Sequence, residues 1–248
     1  MTGRWFATPA PRADAEVLLF CLPYAGGGAG AYRRWDGLTP PELGVEPVAL
    51  PGRERRISEP PSVDPAAVTD AVLARASGRP FGIYGHSMGA RLGYEVTAEL
   101  RRRGEPLPLR LAVGGARPPD EVDPMLEIVT LPDDGFAEEL VAIGGTPAEV
   151  MASEELRELL LPALRADFGW LRDTPPPAED PLPVPIDAYA GDADPVAEPA
   201  TMAGWRRHTS AAFALHLVPG DHFLIADPPP GLMDRLAGDL LRSARAAR

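Results

Sequence analysis

Six strand-length apolar runs recur along the chain with helix-patterned segments between them: Val17 to Leu22, Val45 to Leu50, Phe81 to Tyr84, Leu109 to Gly114, Ile186 to Ala190 and Phe213 to Val218. A short continuous apolar run suits a strand buried on both faces, and strands separated by helices pair in parallel through crossovers. The chain is thereby limited to an α/β architecture: a mostly parallel sheet with flanking helices. Local punctuation agrees. Asp64 and Pro65 suit an N-cap and first helical turn, Gly78 a helix end, and Leu92, Val96 and Leu100 an i, i+4 stripe closed by Gly104. Arg4 to Phe6 could add a short leading strand. With 248 residues, the chain fits one domain spanning 1–248.

Between Arg117 and Pro185 the alternation stops, which predicts a helical lid inserted at about 118–184. Thr146, Pro147 and Glu149 suit one helix start and Ser153 another. Pro162 is expected to break or kink the run from Leu156 to Leu171, giving several short helices in place of one rod. The prolines from Pro175 to Pro185 form a stiff return to the sheet.

Gly85, His86, Ser87, Met88 and Gly89 form a GxSxG pattern directly after one strand and before a helix. That context suits a nucleophile elbow, in which a strained turn lifts a serine out at the strand end and small neighbours avoid collision. A serine hydroxyl is a poor nucleophile at neutral pH and needs a base held by a carboxylate. Asp192 and Asp194 follow the strand ending at Ala190, and His222 follows the strand ending at Val218. Strand C-termini are where parallel sheets gather catalytic loops, and the order Ser, Asp, His is that of α/β-hydrolases. His86 is the variable position of the elbow, His208 lies near a helix end and His216 lies inside a strand, so His222 is the candidate base. Asp194, further from its strand, has more reach than Asp192, but spacing leaves both open. Asp187, inside a strand, reads as structural. The N–H of Met88 and a backbone N–H from the glycine loop after the first strand, assigned to Ala25, would form the oxyanion hole. The Gly26 to Gly30 cluster lacks the spacing of a dinucleotide-binding loop.

Composition removes competing chemistries. All 24 basic residues are arginine, which excludes a Schiff-base lysine and a lysine-ended phosphate loop. Cys21 is the single cysteine and reads as a core thiol, so no internal disulfide or multi-thiolate metal site can form. A net charge of −12 disfavours nucleic acid and anionic membrane as partners. No signal-peptide pattern or membrane-length apolar run is present, and a cytoplasmic location is expected. The hydrolytic chemistry calls for no metal and no cofactor.

The chain resembles the stand-alone type II thioesterases that accompany polyketide and nonribosomal peptide synthases, which share the α/β-hydrolase fold. The resemblance spans essentially the whole chain. It rests on Leu22 to Gly27, Leu50 to Arg53, Gly85 to Gly89, Leu161 to Phe168, Gly191 to Pro195 and Gly220 to Phe223. The segment Gly114 to Pro118 departs from the more polar sequence expected there. The resemblance implies a Ser87, Asp194, His222 triad, an oxyanion hole from Ala25 and Met88, and a lid over the acyl site. It also implies hydrolysis of acyl groups from the phosphopantetheine thiol of acyl or peptidyl carrier proteins, clearing stalled units. Met125, Phe136, Leu140, Phe168 and Trp170 are candidates for the apolar acyl wall. Arginines at 33, 34, 53, 55, 56 and 101–103 are candidates for carrier docking. The competing readings are a carboxylesterase or lipase acting on small esters, and a noncatalytic binding protein of the same fold.

Overall fold

The computed structural model of the protein describes residues 4–144 and 146–247. Six strands, β1 (Val17–Leu22), β2 (Leu43–Pro47), β3 (Phe81–His86), β4 (Leu111–Gly114), β5 (Ile186–Gly191) and β6 (Phe213–Val218), form one parallel sheet in the order β2-β1-β3-β4-β5-β6. The parallel sheet expected from the apolar rhythm is thus present, in the α/β-hydrolase architecture that the resemblance implies. The chain winds in opposite directions on either side of β1 and β3. The C-terminal ends of those two strands therefore border the crevice where such sheets collect ligands.

The sheet is covered on both faces, as its continuous apolar strands require. Leu18, Phe20 and Leu22 of β1 point to the face covered by α1 (Pro65–Ala76) and α2 (Met88–Arg103), whereas Val17, Leu19 and Cys21 point to the face covered by α7 (Leu232–Ala246). Cys21 is a fully buried core thiol. Asp64 caps α1 by accepting the N–H groups of Ala66 and Ala67, and Leu92, Val96 and Leu100 of α2 are all buried.

Three elements depart from the sequence expectation. Strand β2 ends at Pro47, beyond which Val48 N–H still donates to Cys21 C=O of β1 at 2.9 Å. Ala49 N–H donates to Trp5 C=O at 2.7 Å, and the expected leading strand reduces to a single antiparallel bridge between Phe6 and Val48.

The segment between β4 and β5 contains α3 (Asp133–Ala142), α4 (Ala148–Ala152) and α5 (Glu154–Asp173). Helix α5 runs unbroken through Pro162, against expectation. Proline at 162 removes the bond to the Glu158 carbonyl, but both residues are exposed, so water can take the freed acceptor. Leu161, Leu164 and Phe168 on the buried side pack with Phe136, Leu140 and Met151 into a separate lid core, which keeps the helix continuous through the defect.

Candidate active site

Ser87 occupies the turn between β3 and α2 with φ 53° and ψ −118°, a conformation few non-glycine residues adopt. The flanking glycines make the turn possible. A Cβ on Gly85 would collide with the carbonyl of Gly89, and one on Gly89 would collide with the carbonyl of Leu22 at the end of β1. Met88 begins α2, so its N–H is among the helix-end donors without an intrahelical partner.

The loops after β5 and β6 bring the second and third candidates together. Asp194 Oδ2 lies 2.9 Å from His222 Nδ1, and the Asp194 side chain is sealed from solvent. Its other oxygen, Oδ1, accepts the N–H groups of Val196 at 2.8 Å and Ala197 at 3.0 Å. Burial acts to raise the Asp194 pKa. The hydrogen bonds from His222, Ala197 and Val196 outweigh it and hold the carboxyl below its usual range. Asp192, the alternative acid, accepts Gly220 N–H at 3.0 Å and closes the loop. The remaining histidines are engaged elsewhere: His208 pairs with Asp120 at 2.7 Å, and His216 lies beside Asp187 at 3.7 Å.

A residue that sequence reasoning set aside supports this geometry. His86, at the variable position of the elbow, is fully buried, and its Nε2 lies 2.6 Å from the backbone carbonyl of His222. A carbonyl only accepts, so Nε2 carries the proton and Nδ1 accepts from the Tyr84 hydroxyl at 3.3 Å. Burial, reinforced by the neighbouring His222, depresses the His86 pKa to about 3. No local signal identifies this role, because the partner lies 136 positions away.

The depressed value makes stability depend on pH. Below the ordinary histidine value of roughly 6.5 the unfolded chain takes up a proton that folded His86 refuses, so stability present above that pH drains away on acidification. The loss continues to about pH 3, the folded value. His86→Gln keeps an N–H donor at the position of Nε2 and does not titrate. It is expected to flatten the acid-side loss by up to about 1.4 kcal/mol per pH unit, as read from urea midpoints at pH 7, 6 and 5.

Two cavities open on Ser87. One, of about 50 Å³, is lined by Tyr24, Ala25, Ser87, Met125, Leu140, Ile143, Thr146, Leu164, Phe168, Val196, His222 and Phe223. The other, of about 230 Å³, shares Ala25, Ser87, Met125, Phe168 and Val196 with it but adds Met88 and charged residues, among them Arg91, Arg117, Glu121 and Asp123. Of the five acyl-wall candidates, Met125, Leu140 and Phe168 line the smaller cavity. Phe136 and Trp170 line neither. Phe136 stands behind the wall, edge-on to Phe168 at 5.6 Å, and Trp170 turns to the core under α2. Tyr24, Ile143, Leu164, Val196 and Phe223 were not foreseen.

Among the described residues, one group could gather around a metal ion: Asp187, His216 and Asp239, whose ligand atoms lie within 4.8 Å of one another. It sits away from Ser87, toward the start of β5, and Arg110 already engages both Asp187 oxygens at 2.5 and 2.7 Å. Asp187 is thus structural, as its strand position suggested.

The model of the family described as "Thioesterase domain" matches residues 18–240. The linear gramicidin dehydrogenase LgrE of Brevibacillus parabrevis is 41% identical over 90% of this chain and 87% of its own. Thioesterase PikA5 of Streptomyces venezuelae is 33% identical over 100% of this chain and 90% of its own. The solved structure of RedJ, a thioesterase from the prodiginine biosynthetic pathway in Streptomyces coelicolor, superposes with a TM-score of 0.80 at 34% identity, covering 94% of this chain and 89% of that one. The chain belongs to the thioesterase domain family and is a hydrolase acting on thioesters.

Proposed function

We propose that the protein releases acyl groups from the phosphopantetheine arm of acyl or peptidyl carrier proteins, as an editing thioesterase of polyketide or nonribosomal peptide assembly. The observation that carries the reading is the buried Asp194–His222 pair, whose imidazole lines the same cavity as Ser87. Ser87 attacks the thioester carbonyl while His222 accepts its proton, and the oxyanion forms against the N–H groups of Ala25 and Met88. His222 then passes the proton to the leaving thiol, and water, activated by the same imidazole, frees the acid. Asp194 holds the imidazole in the required tautomer throughout.

The two cavities divide the substrate: the apolar one suits the acyl group, and the wider one, with its charged rim, suits the polar arm. The smaller holds roughly three to five water-sized groups. Acetyl to butyryl carriers are therefore expected to exceed decanoyl carrier in kcat/KM by at least about tenfold, measured on one carrier loaded with a chain-length series. A maximum at decanoyl would place the acyl group elsewhere.

Docking draws on few of the candidate arginines. Arg53 and Arg56 are buried, and Arg101, Arg102 and Arg103 pair with Glu179, Glu99 and Asp70. Arg33 and Arg34 stay exposed, Arg34 paired with Asp227. No helix among the described residues is long and apolar enough to cross a membrane.

The name of the Brevibacillus relative raises a redox alternative, against which the glycine loop speaks. The N–H groups of Ala29 and Gly30, where a dinucleotide phosphate would bind, already donate to the Glu54 carboxylate at 3.1 and 2.8 Å. The esterase alternative is tested by presenting one acyl group on a carrier protein, on coenzyme A and on nitrophenol. The carrier thioester is expected to have the highest kcat/KM, and a preference for the nitrophenyl ester would favour the esterase.

A further inference from the structure

Two charged residues that the proposed reaction leaves unused, Arg53 in the segment Leu50 to Arg53 and Asp167 in the segment Leu161 to Phe168, meet inside the protein. Arg53 donates Nη1 to Asp167 Oδ2 at 2.6 Å and Nη2 to Asp167 Oδ1 at 2.8 Å, with 5% and 0% of the two side chains exposed. Asp167 belongs to the lid helix α5, whereas Arg53 follows the strand β2 at the edge of the sheet. The pair grips a third element, the loop after β1. Asp167 Oδ2 also accepts Gly26 N–H at 2.8 Å, and Arg53 Nη1 donates to Gly27 C=O at 3.3 Å. One turn before Asp167, Leu164 lies against Gly26, where a Cβ would come within 2.5 Å of its side chain.

Within that loop, Gly27 N–H donates to Tyr24 C=O at 2.9 Å. The Tyr24 carbonyl and the Ala25 N–H belong to one planar trans peptide and point in opposite directions, so holding the carbonyl aims the N–H. Gly27, whose N–H holds it, is in turn fixed at its C=O by Arg53, and the preceding Gly26 is fixed at its N–H by Asp167. A buried ion pair contributes little net stability compared with an apolar pair of similar volume, but a two-pronged one fixes direction.

We infer that Asp167, through its pair with Arg53, is a positioning residue of the oxyanion hole: the lid helix aims the Ala25 N–H, and the hole is complete only while α5 is seated on the loop. The inference rests on the proposed reading of Ala25 as an oxyanion donor. Loss of one oxyanion donor costs on the order of a hundredfold or more, and a misdirected one somewhat less.

The test uses the full-length enzyme with an acyl carrier substrate and two acyl-pantetheine analogues. One analogue is a trifluoromethyl ketone, which forms a tetrahedral oxyanion on the serine; the other is a thioether lacking the carbonyl. Asp167→Asn and Arg53→Lys are expected to lower kcat by about 10- to 100-fold with KM within about threefold. They should weaken the ketone by the same factor as kcat/KM and leave the thioether unchanged. The double variant Arg53→Met with Asp167→Leu replaces the pair with apolar volume, so its melting temperature should return toward wild type while kcat stays low. Recovery of kcat together with melting temperature in the double variant would overturn the inference. So would equal weakening of both analogues, or full kcat in Asp167→Asn. A wild-type enzyme that binds the ketone no better than the thioether would overturn the oxyanion assignment as well.

Discussion

Ser87→Ala is expected to lower kcat for acyl-carrier hydrolysis by about a millionfold, the scale seen when the nucleophile of a serine triad is removed. The loss should fall on chemistry alone. Ser87 is held in its strained turn by backbone contacts: its N–H donates to Gly114 C=O at 2.8 Å, and its C=O accepts from Ala90 N–H at 2.9 Å. Alanine keeps both contacts, so the thermal unfolding midpoint should stay within a few degrees of wild type. Carrier affinity, read by titration with a loaded carrier that the variant no longer turns over, should also persist. Substantial residual hydrolysis, beyond contaminating wild type, would remove the serine from the mechanism.

The second large effect is expected at Asp194. In Asp194→Asn the amide oxygen will stay where two N–H groups already converge, those of Val196 and Ala197 on Oδ1. The amide nitrogen is then left facing His222 Nδ1. Two donors cannot face each other, so the imidazole must carry its proton on Nε2 and can no longer accept one from the serine. A kcat loss of about ten-thousandfold follows, with folding and substrate affinity little changed. Asp192→Asn, by contrast, touches only the Gly220 contact and should leave kcat within a fewfold of wild type. Equal losses at 192 and 194 would mean that the loop, and not the carboxylate at 194, is what matters.

What could be read from the sequence was governed by how local each signal is. The elbow was legible because a strand, two obligatory glycines and a helix start are contiguous. The Asp194–His222 pair was legible because parallel topology sends both loops to one sheet edge, although the choice over Asp192 needed the coordinates to show which carboxylate reaches Nδ1. Pro162 misled because a rule about one missing hydrogen bond says nothing of the lid core that holds α5 together. Phe136 and Trp170 misled for a related reason: an apolar residue on a lid helix faces either the cavity or its backing, and periodicity alone does not separate the two. Arg53 was read as a docking arginine because its partner, Asp167, is 114 residues away, and only folding takes the guanidinium out of solvent.

The central claim is that turnover passes through the hydroxyl at position 87. It is tested most directly by titrating the enzyme with an acyl phosphonate and following, in the same samples, thioester hydrolysis and the modified peptide by mass spectrometry. The account predicts one equivalent of label, all on Ser87, with activity falling in strict proportion to labelling. Hydrolysis that survives complete labelling of Ser87, or activity lost while Ser87 stays unmodified, would contradict it.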